Sequence, residues 1–194
     1  MQLRLIRHAT LLVEIAGRRL TVDPMLGEAG SAPPVEGSTN DRRNPLVALP
    51  LRVAELVEGL DGVLVTHTHS DHLDPAADEA FPHGLPLLCQ PPDEQALRER
   101  GFADVRPVAG ELDWDGLRVS RTSGRHGSGQ IGDEMGPVSG FVLAAAGEPT
   151  LLIAGDTIWC DELRGARAAP ARRRGRQRGR GTARRRRPDH DDRR

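Results

Sequence analysis

Gly62-Val63-Leu64-Val65-Thr66-His67-Thr68-His69-Ser70-Asp71-His72-Leu73-Asp74-Pro75 decides how this chain is read. Its first five residues are a continuous run of the kind found in a strand covered on both faces. Asp74 and Pro75 read as the N-cap and first position of a helix. Between strand and helix stand the ligand-competent side chains of His67, His69, Asp71 and His72, with Asp74 just beyond. A strand–loop–helix passage puts them at the carboxyl end of a strand, where open α/β sheets present their active sites. Residues two apart in extended chain point the same way, so His67 and His69 can share one metal ion. Asp71 and His72, after the chain turns, can reach a second.

Imidazole and carboxylate donors suit zinc, and also manganese or iron. Two such ions about 3.5–4 Å apart can hold a bridging water and lower its pKa towards ~7. The product is a hydroxide nucleophile beside a Lewis acid. A histidine-rich solvated loop is the plain alternative, and the agreement of spacing with the strand–loop–helix context argues against it.

Outward from this run, residues 2–23 read as strands with a turn at Gly17-Arg18. Residues 27–48, rich in Gly, Pro, Ser and Asn, read as a long loop, which in a compact domain is more often functional than idle. Leu51, Val53, Leu56, Val57 and Leu60 suit a short amphipathic helix ending near Gly59. Leu85 to Cys89 is a second buried strand, and Asp93 to Arg100 a helix stopped by Gly101. Trp114-Asp115-Gly116 turns between two strands, the second ending near Ser123. Gly140 to Ala146 and Thr150 to Ala154 form a hairpin around Gly147-Glu148-Pro149. Interleaved strands and helices predict an α/β layered architecture. Loops 27–48 and 127–138 are the expected walls of a substrate pocket.

The hydrophobic share of the 194 residues is 37%, below a globular norm of roughly 45–50%. The shortfall lies after Leu163, so residues 1–163 carry the capacity for a core. Residues 1–163 hold 13 Arg against 25 acidic residues, a net of −12, whereas residues 164–194 hold 14 Arg against 3 Asp, a net of +11. The near-neutral total therefore hides an acidic domain and a basic tail. That tail cannot bury enough apolar surface to offset its ordering entropy, and disorder is expected. As a functional element it would bind RNA, DNA or an anionic surface through counterion release, without aromatic rings for base stacking. The simpler account is a reading-frame change. Lys and Tyr are absent and all 27 basic residues are Arg, the mark of a GC-rich gene, whose out-of-frame product is Arg, Gly, Ala and Pro. Translating the other two frames tests it. Cys89 and Cys160 form no disulfide framework. No signal-peptide stretch opens the chain and no segment approaches the ~20 apolar residues of a membrane span, so a cytoplasmic protein is expected.

The pattern His-x-His-x-Asp-His over His67–His72 resembles the signature of the metallo-β-lactamase superfamily, and the likeness runs from Met1 to about Leu163. Ile6-Arg7-His8-Ala9-Thr10-Leu11-Leu12-Val13-Glu14 and Leu20-Thr21-Val22-Asp23-Pro24 look like the first strands of the branch that includes ascorbate-6-phosphate lactonase. The resemblance implies an αββα sandwich, incomplete at the C-terminus, because the likeness stops at Asp161-Glu162-Leu163 before the family's last ligand histidine. It implies that His126 joins His67 and His69 at the first metal, and that Asp156 bridges both metals. Their ordinary alternatives are a surface histidine in a Gly-rich loop and an Asp capping the next helix. Asp71 becomes both a ligand of the second metal and the proton acceptor or donor for the attacking water. Asp23 orients a ligand histidine or is a simple turn residue; His8 lies near the site without ligating, or is a core histidine. Asp74, His83, Cys89 and Cys160 are read as structural, and His190 has no role. The expected function is hydrolysis of a small ester, lactone or phosphorylated substrate by metal-bound hydroxide. The alternatives are a catalytically impaired remnant, or a nucleic-acid-binding protein or nuclease acting through the tail. The acidic body argues against polyanions.

Overall fold

Side chains alternate across a strand, and Val63-Leu64-Val65 shows the consequence in a computed structural model that describes residues 1–34 and 39–168. Val63 and Val65 point into one apolar cluster with Leu56, Ala77, Phe81 and Leu97. Leu64 points the other way, into a second cluster with Leu20, Leu117, Phe141 and Leu143. All three are fully buried. The two clusters are the two interfaces of a stack: helices on a first sheet, and that sheet on a second.

The first sheet is β1 (Gln2–Arg7), β2 (Thr10–Ile15), β3 (Arg18–Val22), β4 (Gly62–Leu64), β5 (Leu87–Cys89) and β6 (Val105–Pro107), paired in chain order. β1 to β3 form an antiparallel meander and β3 to β6 are parallel. Parallel neighbours need crossovers, and α1 (Val53–Val57), α2 (Pro75–Ala80) and α3 (Glu94–Glu99) supply them. The second sheet is antiparallel, in the order β10 (Leu151–Ile153), β9 (Ser139–Ala144), β8 (Leu117–Ser123), β7 (Glu111–Trp114). Asp74 caps α2 as expected, its Oδ1 accepting from Ala77 N at 2.9 Å.

Four features differ from the sequence reading. Residues 127–138 are not a loop throughout, since α4 (Gly129–Met135) occupies their middle; it carries two glycines and no buried residue, so no apolar period announces it. A helix, α5 (Asp161–Ala168), crosses the boundary expected at 163/164 and packs beside β8. The tail from residue 169 lies outside the described residues. In β1 the sequence alternation of Leu3, Leu5 and Arg7 with Arg4 and Ile6 is not kept. Residues 2–5 are all exposed, and past a register shift between Leu5 and Arg7 both Ile6 and Arg7 are buried. The short strand β6, three residues ending in a proline, has no counterpart in the sequence pattern. Among the described residues no helix is long and apolar enough to cross a membrane.

Candidate metal centre

Asp23, one residue past β3, organises the loop that follows β4. Its backbone is left-handed, with φ 45°, a conformation Asp tolerates better than most residues. Its buried carboxylate accepts from Thr66 N at 2.7 Å, Thr66 Oγ1 at 2.8 Å and His72 Nδ1 at 3.0 Å. With Nδ1 committed to Asp23, His72 presents Nε2 to the site, 3.1 Å from Asp156 Oδ1. Thr66 Oγ1 also stands 3.1 Å from His67 Nδ1, and the buried Nε2 of His67 has no hydrogen-bond partner.

The second sheet delivers the rest. His126 follows β8 and Asp156 follows β10. Asp156 reaches the centre because residue 155 is glycine. Its φ is +67°, and a Cβ there would stand 2.6 Å from Ser139 O and 3.3 Å from Thr66 Cβ. Asp156 Oδ2 then lies 3.5 Å from His126 Nε2, so one carboxylate stands between His72 and His126. Both ring nitrogens of His126 are buried without a hydrogen bond.

Two constellations result. The donor atoms of His67, His69 and His126 all lie within 4.8 Å of one another, and so do those of His67, His72 and Asp156. Ring centroids of the histidine triplet are 4.5, 5.2 and 4.9 Å apart. Asp71 belongs to neither; its Oδ2 faces His8 Nε2 at 3.3 Å, at the half-exposed rim. His8 itself has φ 52° in the turn between β1 and β2. Asp156 does not cap α5, which begins at Asp161. His83 packs against Phe102, Cys89 is buried in the helix-side cluster, and Cys160 is half-buried; both thiols are free.

Burial holds His67 neutral, its pKa pushed down to about 3 with the neighbouring imidazoles adding to the effect. Burial also opposes a charge on His72, but hydrogen bonds to Asp156 and Asp23 outweigh it and raise that pKa to about 10. The same His72 contact draws Asp156 down to about 2. Converging imidazoles with unpartnered nitrogens, next to an ionised carboxylate, are the donor set of a divalent cation, and the residues present fit one. Nothing in the sequence reading pointed to Thr66, whose hydroxyl touches Asp23, His67 and His72. Its place at the end of the strand, directly before the first histidine, was the available signal. Beside His126 opens a cavity of about 410 Å³, bordered by the glycine-rich stretch from Gly124 to Gly136 and by Ile158.

A family model described as "Beta-lactamase superfamily domain" matches residues 18–172. The UPF0173 protein YddR of Bacillus subtilis (strain 168) is 35% identical over 84% of this chain and 65% of its own length. Among solved structures, a possible metal-dependent hydrolase from Veillonella parvula DSM 2008 is 34% identical with a TM-score of 0.82, over 85% of this chain and 66% of that one. An isothiocyanate hydrolase from Delia radicum gut bacteria is 38% identical with a TM-score of 0.80, over 86% and 67%. The chain thus spans about two thirds of the length of these relatives.

Proposed function

The chain belongs to the beta-lactamase superfamily, and from that premise we propose that it is a metal-dependent hydrolase of a small ester, lactone or phosphorylated substrate. The observation that carries the reading is the convergence of four histidines and Asp156, with unpartnered buried nitrogens on His67 and His126. A bound divalent ion would supply a water of lowered pKa and a Lewis acid for the electrophilic atom of the substrate. His67, His69 and His126 would hold one ion, and His72 and Asp156 a second, with Asp71, which faces His8 at the rim, as a further ligand for it. Thr66 and Asp23 fix the rings of His67 and His72. Asp71, anchored by His8, is assigned to take the proton of the attacking water and return it to the leaving group. Zinc is the assigned metal, the same donors accepting manganese or iron. Isothiocyanate, the substrate in the name of one solved relative, joins the candidates because its central carbon is a small electrophile open to the same attack. The free thiols Cys89 and Cys160 accord with a reducing, cytoplasmic setting.

The test is metal analysis of the purified chain together with a panel of 4-nitrophenyl acetate, a γ-lactone, bis(4-nitrophenyl) phosphate and allyl isothiocyanate. Metal-dependent turnover of one panel member is expected, lost in His67→Ala and reduced about 10²–10⁴-fold in Asp71→Ala. A chain that takes up no metal after zinc reconstitution, and turns over nothing, refutes the reading. The 14 Arg of residues 164–194 favour one other function. Steeply salt-dependent nucleic-acid binding that survives deletion of residues 1–163 would support it.

A further inference from the structure

The cavity beside His126 is bordered by two charged side chains among the described residues, Arg125 and Asp133. Arg125 is already engaged. Its Nε and Nη2 donate to Glu162 Oε1 at 3.2 and 2.8 Å. Two further bonds hold the partners in place: Arg125 N donates to the Thr157 hydroxyl at 2.9 Å, and Ile158 N donates to Arg125 O at 2.8 Å. This ties the β8 exit to the segment leading into α5, which carries Glu162. With Arg125 cancelled by Glu162, Asp133 leaves the lining outside the metal centre neutral to negative.

We propose that the Arg125–Glu162 pair sets substrate charge: by cancelling the arginine next to His126, it makes the pocket select an uncharged substrate and reject an anionic one. The proposal rests on the metal-hydrolase reading and narrows its substrates to neutral esters, lactones and isothiocyanates, away from phosphorylated compounds. The physical basis is that an anion at this cavity gains most from an uncompensated positive charge, and Arg125, 61% exposed and paired with Glu162, contributes little net charge there. Glu162→Gln keeps an acceptor for the guanidinium but removes the cancelling charge.

The experiment compares two metal-seeking probes that differ only in charge, benzohydroxamate and 4-carboxybenzohydroxamate, binding to the zinc-loaded full chain by calorimetry. Metal content is measured on the same sample. The neutral probe is expected to bind at least about fivefold tighter, the worth of a unit charge at close range in largely aqueous surroundings. Glu162→Gln is expected to erase or invert that ratio, and Arg125→Ala to keep the preference for the neutral probe. Because the ratio is taken within one variant, a general loss of folded protein cancels out. Equal or tighter binding of the carboxylated probe to the unmodified chain, or an unchanged ratio in Glu162→Gln, overturns the proposal with the metal reading intact. A sample without metal overturns both.

Discussion

Replacing Asp23 by Asn tests the link between the buried hydrogen-bond network and the metal centre. In the native chain Asp23 Oδ1 takes the Thr66 amide, and Oδ2 takes both the Thr66 hydroxyl and His72 Nδ1. Asn can keep an oxygen towards the amide, which leaves its NH₂ facing the hydroxyl and the imidazole. The hydroxyl rotates to accept. His72 can accept at Nδ1 only by moving its proton to Nε2, the nitrogen that faces Asp156 at 3.1 Å. That tautomer has no lone pair left for a metal. Losing such a supporting contact typically lowers metal affinity about 10–100-fold, or roughly 1.4–2.7 kcal/mol. Asn also tolerates the left-handed backbone at this position, so the fold should lose only about 1–3 kcal/mol. Asp23→Ala is less informative. It strands three buried donors at about 1–3 kcal/mol each, against a total stability of about 5–15 kcal/mol. The assay is competition with a chromophoric chelator, on protein shown to be folded by circular dichroism. Folded Asp23→Asn with metal affinity within about twofold of the native chain would refute the tautomer argument.

Gly155→Ala should cost at least about 1–2 kcal/mol from the left-handed backbone alone, and more from the approach to Ser139 O; thermal unfolding and metal titration should both report it. For the metal-free chain the pH dependence follows from two histidines. The pKa of His67 lies at about 3 when folded, so its contribution is lost as pH falls from about 6.5. The pKa of His72 lies at about 10, so its contribution is complete below about 6.5 and lost as pH rises through 10. The melting temperature of the metal-free form should peak near pH 6–7; a monotonic rise to pH 9 would contradict this. Burial pushes the Cys89 thiol up to about 12, and the ordinary thiol pKa near 9 is what unfolding would restore. A thiol reagent should modify Cys160 and spare Cys89 in the native state, and stability should fall with pH above about 9. Mass mapping of the modified chain checks the first and urea titration the second.

What was legible in the sequence had a local cause. Val63-Leu64-Val65 gave a strand buried on both faces because alternation and apolarity act within a few residues. Asp74-Pro75 gave a helix start because a cap needs only its own first turn. His67, His69 and His72 lie within six residues, so their convergence follows from chain geometry. His126 and Asp156 were reached only through family resemblance, since nothing near either residue marks it as a partner of the other. The His8–Asp71 and Arg125–Glu162 pairs join segments distant in sequence and left no local trace. The helix α4 has no local signal because two glycines and the lack of any buried residue remove both propensity and period.

The centre draws its donors from both sheets, His67, His69 and His72 from one and His126 and Asp156 from the other. This has a consequence for folding. The run from His67 to His72 is short enough to catch a metal ion while the chain is still unfolded, and binding to the unfolded state contributes nothing to the stability of the native one. Besides the ring orientation set by Asp23 and Thr66, it is the added grip of His126 and Asp156 that favours the folded form, and those donors arrive when the sheets close on each other. Added metal should therefore slow the separation of the two sheets far more than it speeds their first approach, acting as a rivet set after assembly.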